Sequence, residues 1–215
     1  MMAENTEEII PQNDDEKNKQ TENGAVKVEK FQVDSIEIAF VLMTALMLIF
    51  TFLFSVVSID GPSMQNTLHD KDRVIMRKAY SDVKDYDVVI IDCHESNLLD
   101  TEGNVVTIDS YLDENIVKRV MATEGQTIDI DFESGVVYVD GVEARSDFTK
   151  EPTTLNREAF TYPLTVPKGY VFVMGDNRNN SLDSRSPEVG LVSKDDILGK
   201  VIFRIAPFDS IGKIK

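Results

Sequence analysis

The sequence predicts a mostly β protein, with an antiparallel, barrel-like β-sheet domain, a smaller irregular β insertion, and one transmembrane helix in front of them. Three observations favour this fold class. One uncharged apolar run, residues 38–57, is long enough to cross a bilayer. Short apolar stretches bounded by turn residues recur after it. No helical periodicity of comparable length follows residue 57.

Residues 1–35 form a polar, acidic N-terminal tail with 4 lysines and 9 acidic residues. A segment of this composition has too little apolar surface to bury, so the tail is predicted to be disordered. The whole chain carries a net charge of −16. This charge argues against nucleic acid as a partner and against electrostatic attachment to an anionic membrane surface.

Residues 36–57 are predicted to form a membrane anchor. The uncharged run within them has 20 residues, and a helix of that length spans roughly 30 Å. A buried core helix is the alternative, and a cleaved signal peptide is disfavoured because acidic residues precede the run. Lysines and arginines near the two ends favour a cytoplasmic location for the following domain, but that rule weakens for a large translocated domain.

Residues 58–215 are predicted to form one domain made mostly of strands. Glu133-Ser-Gly135 is a turn signal between two of them and predicts a hairpin. Residues 141–168 are polar and irregular, which predicts an insertion or a second small lobe. The strand candidates are residues 73–77, 87–91, 115–120, 127–132, 136–139, 170–174 and 200–205.

The most informative segment is residues 175–185, which directly follow a strand candidate and read Gly-Asp-Asn-Arg-Asn-Asn-Ser-Leu-Asp-Ser-Arg. Glycine and asparagine tolerate positive φ, and the two aspartates and two arginines can form ion pairs within the loop. A loop made rigid in this way would hold the hydroxyl of Ser181 in a fixed place. The segment therefore indicates a functional site.

Two further segments contribute reactive groups. Ser63 lies shortly after the apolar run, and Lys118 lies in the strand candidate 115–120. A serine hydroxyl needs a base nearby, and a lysine can be that base only when burial lowers its pKa from the usual value of about 10.4. The apolar neighbours of Lys118 give it such a setting, and the alternative is an exposed strand lysine.

Other chemistries have weaker support. His69 and His94 are the only histidines, and they do not form a convincing Ser-His-Asp set with Ser63. The single cysteine, Cys93, excludes an intrachain disulfide and is expected to be a half-buried strand residue. Three alternating acidic residues between 129 and 133 suit Ca²⁺, but a solvated strand face accounts for them. No metal or cofactor is expected.

Together the three segments resemble the type I signal peptidase family, which are membrane-anchored serine proteases with a Ser–Lys dyad. The resemblance runs from about residue 36 to about residue 208. It implies that Ser63 is the nucleophile, that Lys118 is the general base, and that the Ser63 N–H forms part of the oxyanion hole. It also implies five supporting residues. Ser181 orients the lysine, and Asp183 and Arg185 brace the loop. Met64 packs toward the lysine or the membrane, and Gly61, where some members have a hydroxyl, is expected to make a backbone contribution instead.

The resemblance implies a membrane-bound serine endopeptidase that cleaves signal peptides from secretory preproteins after small residues. The substrate would pair as a strand with free strand edges, and shallow pockets would admit only small side chains. Ile59, Ile116 and Val117 are the predicted pocket walls. The implied location is the bacterial cell membrane, with a single pass through the lipid bilayer, a cytoplasmic N-terminus and an extracytoplasmic domain.

The chain departs from the family pattern in three places. It has Asn66 where proline is common, Tyr86-Asp87 where Gly-Asp is common, and Glu124-Gly125-Gln126 where Pro-Gly-Asp is frequent. These departures favour a divergent member, and a specialised relative that processes a few surface or pilus substrates is one alternative. A catalytically inactive, membrane-anchored module that binds preproteins is another. A self-cleaving regulator is disfavoured by the acidic tail and the anchor.

Overall fold

The computed structural model describes residues 35–78 and 80–214, the side chains of residues 111 and 113 excepted. The tail predicted to be disordered, residues 1–35, lies outside the described residues apart from Ser35. The chain divides into two compact units, residues 1–42 and 43–215. Antiparallel strands dominate the second unit, as the sequence predicts.

The apolar run becomes two elements instead of one. Helix α1 spans Ser35–Leu53 and has no buried residue. It is long and apolar enough to cross a membrane, by length and composition. Strand β1, Phe54–Ser58, follows at once and pairs antiparallel with β2, Arg73–Arg77. The helix therefore ends four residues before the predicted end of the anchor, because residues 54–57 are held in a ladder with β2.

The main sheet has eight strands in the order β1-β2-β11-β3-β4-β9-β10, with β12 pairing with β11. Its longest members, β3 and β4, form a hairpin whose distal half extends well beyond the strand candidates in the sequence. The Asp100 carboxylate caps the tip, where it accepts hydrogen bonds from the N–H groups of Glu102 and Asn104. The remaining bounds are Val88–Leu99 for β3, Val105–Thr123 for β4, Tyr170–Met174 for β9, Val192–Ser193 for β10, Ile197–Ala206 for β11 and Gly212–Lys213 for β12.

A second sheet of four short strands has the order β7-β6-β5-β8. The predicted hairpin forms its centre, as β5, Thr127–Asp131, and β6, Val136–Val139. Strands β7, Val142–Glu143, and β8, Leu164–Thr165, flank the hairpin. The irregular segment 141–168 is thus part of a larger lobe that begins at β5, because its own short strands need β5 and β6 as partners.

Strand β9 lies between two hydrophobic cores, and this position explains why its sequence is apolar without a break. Val171 and Val173 pack into one core with residues of β3 and β4. Phe172 and Met174 face the other side and pack into the core beneath the small sheet. Since successive strand residues point to opposite faces, a strand that is buried on both sides has no polar position. The loop 175–185 therefore begins at the end of a strand that is buried on both faces.

Candidate active site

Ser63 lies in a tight loop that is tied to the core on both sides of it. Met64 and Leu68 are fully buried in a third apolar cluster, together with Ile59. The Leu68 N–H donates to the Met64 carbonyl oxygen at 2.8 Å. Burial of the Met64 side chain fixes the backbone direction there, so that the Ser63 hydroxyl is turned toward the groove that it lines.

Lys118 projects from β4 toward Ser63. Its side chain is 4% exposed, and its Nζ lies 3.2 Å from Ser63 Oγ. The same Nζ donates to the Val117 carbonyl oxygen at 2.9 Å. Burial lowers the pKa of Lys118 to about 8, against the opposing effect of the nearby Asp183 carboxylate. At pH 7 roughly one such lysine in ten is neutral, compared with roughly one in 3,000 for an unperturbed lysine.

The loop 175–185 is hydrogen-bonded directly to the segment that contains Ser63. The Asn177 N–H donates to the Ser63 carbonyl oxygen at 3.0 Å, and its side-chain amide donates to the Pro62 carbonyl oxygen at 3.1 Å. Gly175 permits this approach, because a Cβ atom at that position would lie 2.6 Å from the Ser63 carbonyl oxygen and 2.3 Å from Ser181 Oγ. The loop therefore fixes the position of Ser63 relative to β9.

Asp183 and Arg185 form a bidentate ion pair inside this loop. Arg185 donates from Nε and Nη2 to the two carboxylate oxygens, both at 2.8 Å, and neither side chain is exposed. The Gly175 N–H donates to Asp183 Oδ2 at 2.9 Å. Burial disfavours ionised Asp183, but the Arg185 charge and these hydrogen bonds hold the pKa of the carboxyl below its usual value.

A second buried ion pair joins the loop to β4, and sequence reasoning does not find it. Asp176 pairs with Arg119, whose Nε and Nη2 donate at 2.9 Å and 2.7 Å, and Arg119 also donates to the Tyr86 carbonyl oxygen at 2.8 Å. Thr67, which lies in the same loop as Ser63, donates to the same carboxylate. The sequence does contain a signal for this pair, the charged dipeptide Lys118-Arg119 in an apolar strand. Because neighbouring strand residues face opposite sides, the two charges need separate partners.

The segment between β7 and β8 also contacts the loop that contains Ser63. The Asn66 amide donates to the Thr149 carbonyl oxygen at 3.0 Å, and Lys150 Nζ donates to Gln65 Oε1 at 3.0 Å. The same segment also contacts the loop 175–185, where Arg178 donates to Thr153 Oγ1 at 3.0 Å. Asn66 stands where the family commonly has proline, so a side-chain hydrogen bond to the small lobe holds this turn.

Met64 packs into the core cluster and, like Lys118, lines the groove. Two other predicted supporting residues have contacts that differ from the expectation. Ser181 lines the groove, but its Oγ donates weakly to the Leu182 carbonyl oxygen at 3.4 Å and not to Lys118. The Gly61 N–H donates to Asp70 Oδ1 at 3.1 Å and is not directed at an oxyanion. Among the described residues, the Ser63 N–H has no hydrogen-bond acceptor.

One groove is lined by both Ser63 and Lys118. The three predicted pocket walls, Ile59, Ile116 and Val117, line the same groove. In the described part of the chain, β1 pairs only with β2, and the stretch of β4 before Lys118 pairs only with β3. Each of these strands therefore presents an unpaired edge. Neither histidine lines the groove: His94 Nε2 lies 2.8 Å from Asp92 Oδ1, and the His69 N–H donates to Asp72.

Comparisons with known proteins identify the family of this chain. The family model described as signal peptidase, peptidase S26, matches residues 32–206. The "Probable signal peptidase I-1" of Synechocystis is 34% identical over 80% of this chain and 83% of its own length. "Signal peptidase I T" of Bacillus subtilis is 29% identical over 94% of this chain and 99% of its own length.

A crystal structure of a signal peptidase I from Enterococcus faecalis V583 is 23% identical and has a TM-score of 0.39, covering 55% of this chain and 95% of that chain. The family model extends from the apolar helix through β11 and includes every residue of the groove. Because most of the chain is matched in this way, the protein belongs to the signal peptidase family, peptidase S26, as a type I signal peptidase, and is a serine endopeptidase.

Proposed function

We propose that Ser63 and Lys118 form the catalytic dyad with which this peptidase removes signal peptides from secreted preproteins after small residues. The observation that carries the proposal is the 3.2 Å separation between Ser63 Oγ and Lys118 Nζ in a groove that admits a peptide. A buried lysine with a lowered pKa can accept the proton of the hydroxyl as Ser63 attacks the scissile carbonyl.

The proton then passes from Lys118 to the departing amine, which leaves an acyl-enzyme on Ser63. A water molecule activated by the same lysine attacks the ester and frees the enzyme. The negative charge that forms on the carbonyl oxygen needs donors already in place. The Ser63 N–H is available for this role because it has no acceptor among the described residues.

Ser181 is proposed to orient Lys118 once substrate is bound. Its side chain lines the same groove, and its weak hydrogen bond to Leu182 is easily exchanged. The unpaired edges of β1 and β4 support a substrate bound as an added strand, with Ile59, Ile116 and Val117 lining the small pockets.

Helix α1 is proposed to anchor the enzyme in the bacterial cell membrane with a single pass, the N-terminus in the cytoplasm and residues 58–215 outside. The long apolar helix and the bacterial signal peptidases among the relatives support membrane attachment. Anchoring would place the groove near the point where the apolar segment of a preprotein leaves the bilayer, and would raise the effective concentration of that substrate.

The test is cleavage of a preprotein with an Ala-x-Ala site by the detergent-solubilised protein, for wild type, Ser63→Ala and Lys118→Ala. Each variant should lose about 10²-fold to 10⁴-fold in rate, the usual contribution of a general base or of the nucleophile that depends on it. The double variant should be no slower than either single one, since the two residues act as a unit. Cleavage retained in either single variant would exclude the dyad.

A further inference from the structure

Arg157 is a second positive charge in the catalytic groove. It belongs to the irregular segment between β7 and β8, and it lines the groove beside Asn180 and Leu182 of the loop 175–185. Its side chain is half-buried. Nη2 donates to the Asn179 carbonyl oxygen at 3.3 Å, a contact that holds the guanidinium against the loop.

The hydrogen-bonding capacity of this guanidinium is largely unused. An arginine side chain carries five N–H donors, and among the described residues only the Asn179 carbonyl oxygen accepts from Arg157. Its Nε is buried and has no acceptor. Arg119 and Arg185 differ in this respect, because each has a bidentate aspartate partner. Arg178 also has an Nε without an acceptor, but it is buried and donates to Thr153.

The charges along the groove are arranged asymmetrically. Asp60, next to the end of β1, and Glu114, in β4, give the strand side an acidic character. Arg157 stands on the loop side, where the described groove residues include no carboxylate. In a chain of net charge −16, a groove-lining arginine without a carboxylate partner is suited to a negatively charged group brought by a ligand.

We propose that Arg157 is a specificity-determining residue that binds an aspartate or glutamate side chain of the substrate polypeptide near the scissile bond. The inference rests on the proposed function of Ser63 and Lys118. The substrate is favoured as the source of the carboxylate because Arg157 lines the same groove as Ser63, so the occupant of that groove passes the guanidinium.

The test uses soluble peptides with an Ala-x-Ala site, in which Asp, Asn or Lys is placed in turn at each flanking position other than the two alanines. The specificity constant kcat/KM is measured in non-ionic detergent for wild type, Arg157→Lys, Arg157→Gln and Arg157→Glu. At one position the wild type should cleave the Asp peptide about tenfold faster than the Asn peptide, the factor expected of one charge-assisted contact. The ratio should fall to about one in Arg157→Gln, and Arg157→Glu should prefer the Lys peptide.

Lys84→Glu is the matched control, because it makes the same charge change at an exposed lysine that does not line the groove. It should keep the wild-type preference and should cleave the uncharged peptide at the wild-type rate. Absence of a preference for Asp at every position, or persistence of the preference in Arg157→Gln, would overturn the inference.

An effect of Arg157 that appears only with vesicles of anionic phospholipid would assign the residue to a lipid headgroup instead, and would also overturn the inference. The proposed function is judged separately by the uncharged peptide. If wild type cleaves that peptide and Ser63→Ala does not, the dyad stands whatever the charge preference. If wild type cleaves no peptide, the proposed function fails and the inference fails with it.

Discussion

At the scale of single residues, the proposed role of Lys118 as general base predicts a pH dependence. A base must be neutral to accept a proton, and burial lowers the pKa of Lys118 to about 8. We therefore expect kcat/KM to rise about tenfold per pH unit below this value and to level off above about pH 9. The sign follows from the role of the lysine, since protonation below the pKa removes the base.

The pH profile is measured with a neutral peptide, and unfolding is followed over the same pH range to separate catalysis from stability. A profile that still climbs at pH 10 would mean that Lys118 is not desolvated in solution.

Gly175 is predicted to be essential for the position of Ser63. A Cβ atom at this residue would overlap Ser181 Oγ and the Ser63 carbonyl oxygen. Gly175→Ala should therefore destabilise the fold by about 1–3 kcal/mol, as overpacking does, and should lower kcat more than it raises KM. Gly212→Ala is the control, because nothing lies within 4 Å of its added methyl group. Equal activity of the two variants would contradict the prediction.

Sequence reasoning identifies the residues of the candidate site better than their contacts. Ser63 and Lys118 are recognisable because their segments resemble a family, and the structure brings the two side chains together. The partner of Asp176 is not recognisable, because Arg119 comes from β4 and the sequence favours pairs within the loop. The contact depends on the pairing of β4 with β9, two strands that are distant in the sequence, and the sequence analysis does not predict that pairing.

At the scale of secondary-structure elements, the loop 175–185 depends on its internal ion pair. Arg185→Met leaves the Asp183 carboxylate buried without its cation, which should cost about 3–5 kcal/mol. Arg145 and Asp147 offer a matched control, since they form a bidentate pair with the same spacing at the surface. Arg145→Met should cost less than about 1 kcal/mol. Chemical unfolding in detergent measures both, and similar losses would show that burial does not decide the effect.

The strands show where local patterns suffice. The candidates 73–77, 136–139 and 170–174 coincide with β2, β6 and β9, because apolar residues bounded by turns mark them clearly. The distal half of the β3–β4 hairpin escapes recognition, because its buried positions include the polar residues Ser96 and Asn97, which donate to the Pro187 and Leu191 carbonyl oxygens. Strand β1 is hidden because its residues continue the apolar run of α1 without a break.

At the scale of the whole molecule, the division between anchor and enzyme is set by β1. Composition places the end of the anchor at residue 57, but β1 pairs with β2 over five positions from Phe54 to Ser58. Ser55 and Val57 also line the groove. The ladder continues past β1, where the Ile59 N–H donates to the Asp72 carbonyl oxygen at 2.8 Å. Strand β1 thus belongs to the folded domain and forms part of the groove that Ser63 lines.

Two truncated chains distinguish these boundaries. A chain of residues 54–215 lacks α1 but keeps β1, so it should fold, leave the membrane fraction and cleave soluble peptides at a rate close to that of the full chain. A chain of residues 58–215 removes the edge strand, exposes β2 and opens one side of the groove. It should lose most of its peptidase activity and should unfold at lower denaturant concentration. Equal activity and stability of the two chains would place β1 with the anchor, as the composition of the apolar run suggests.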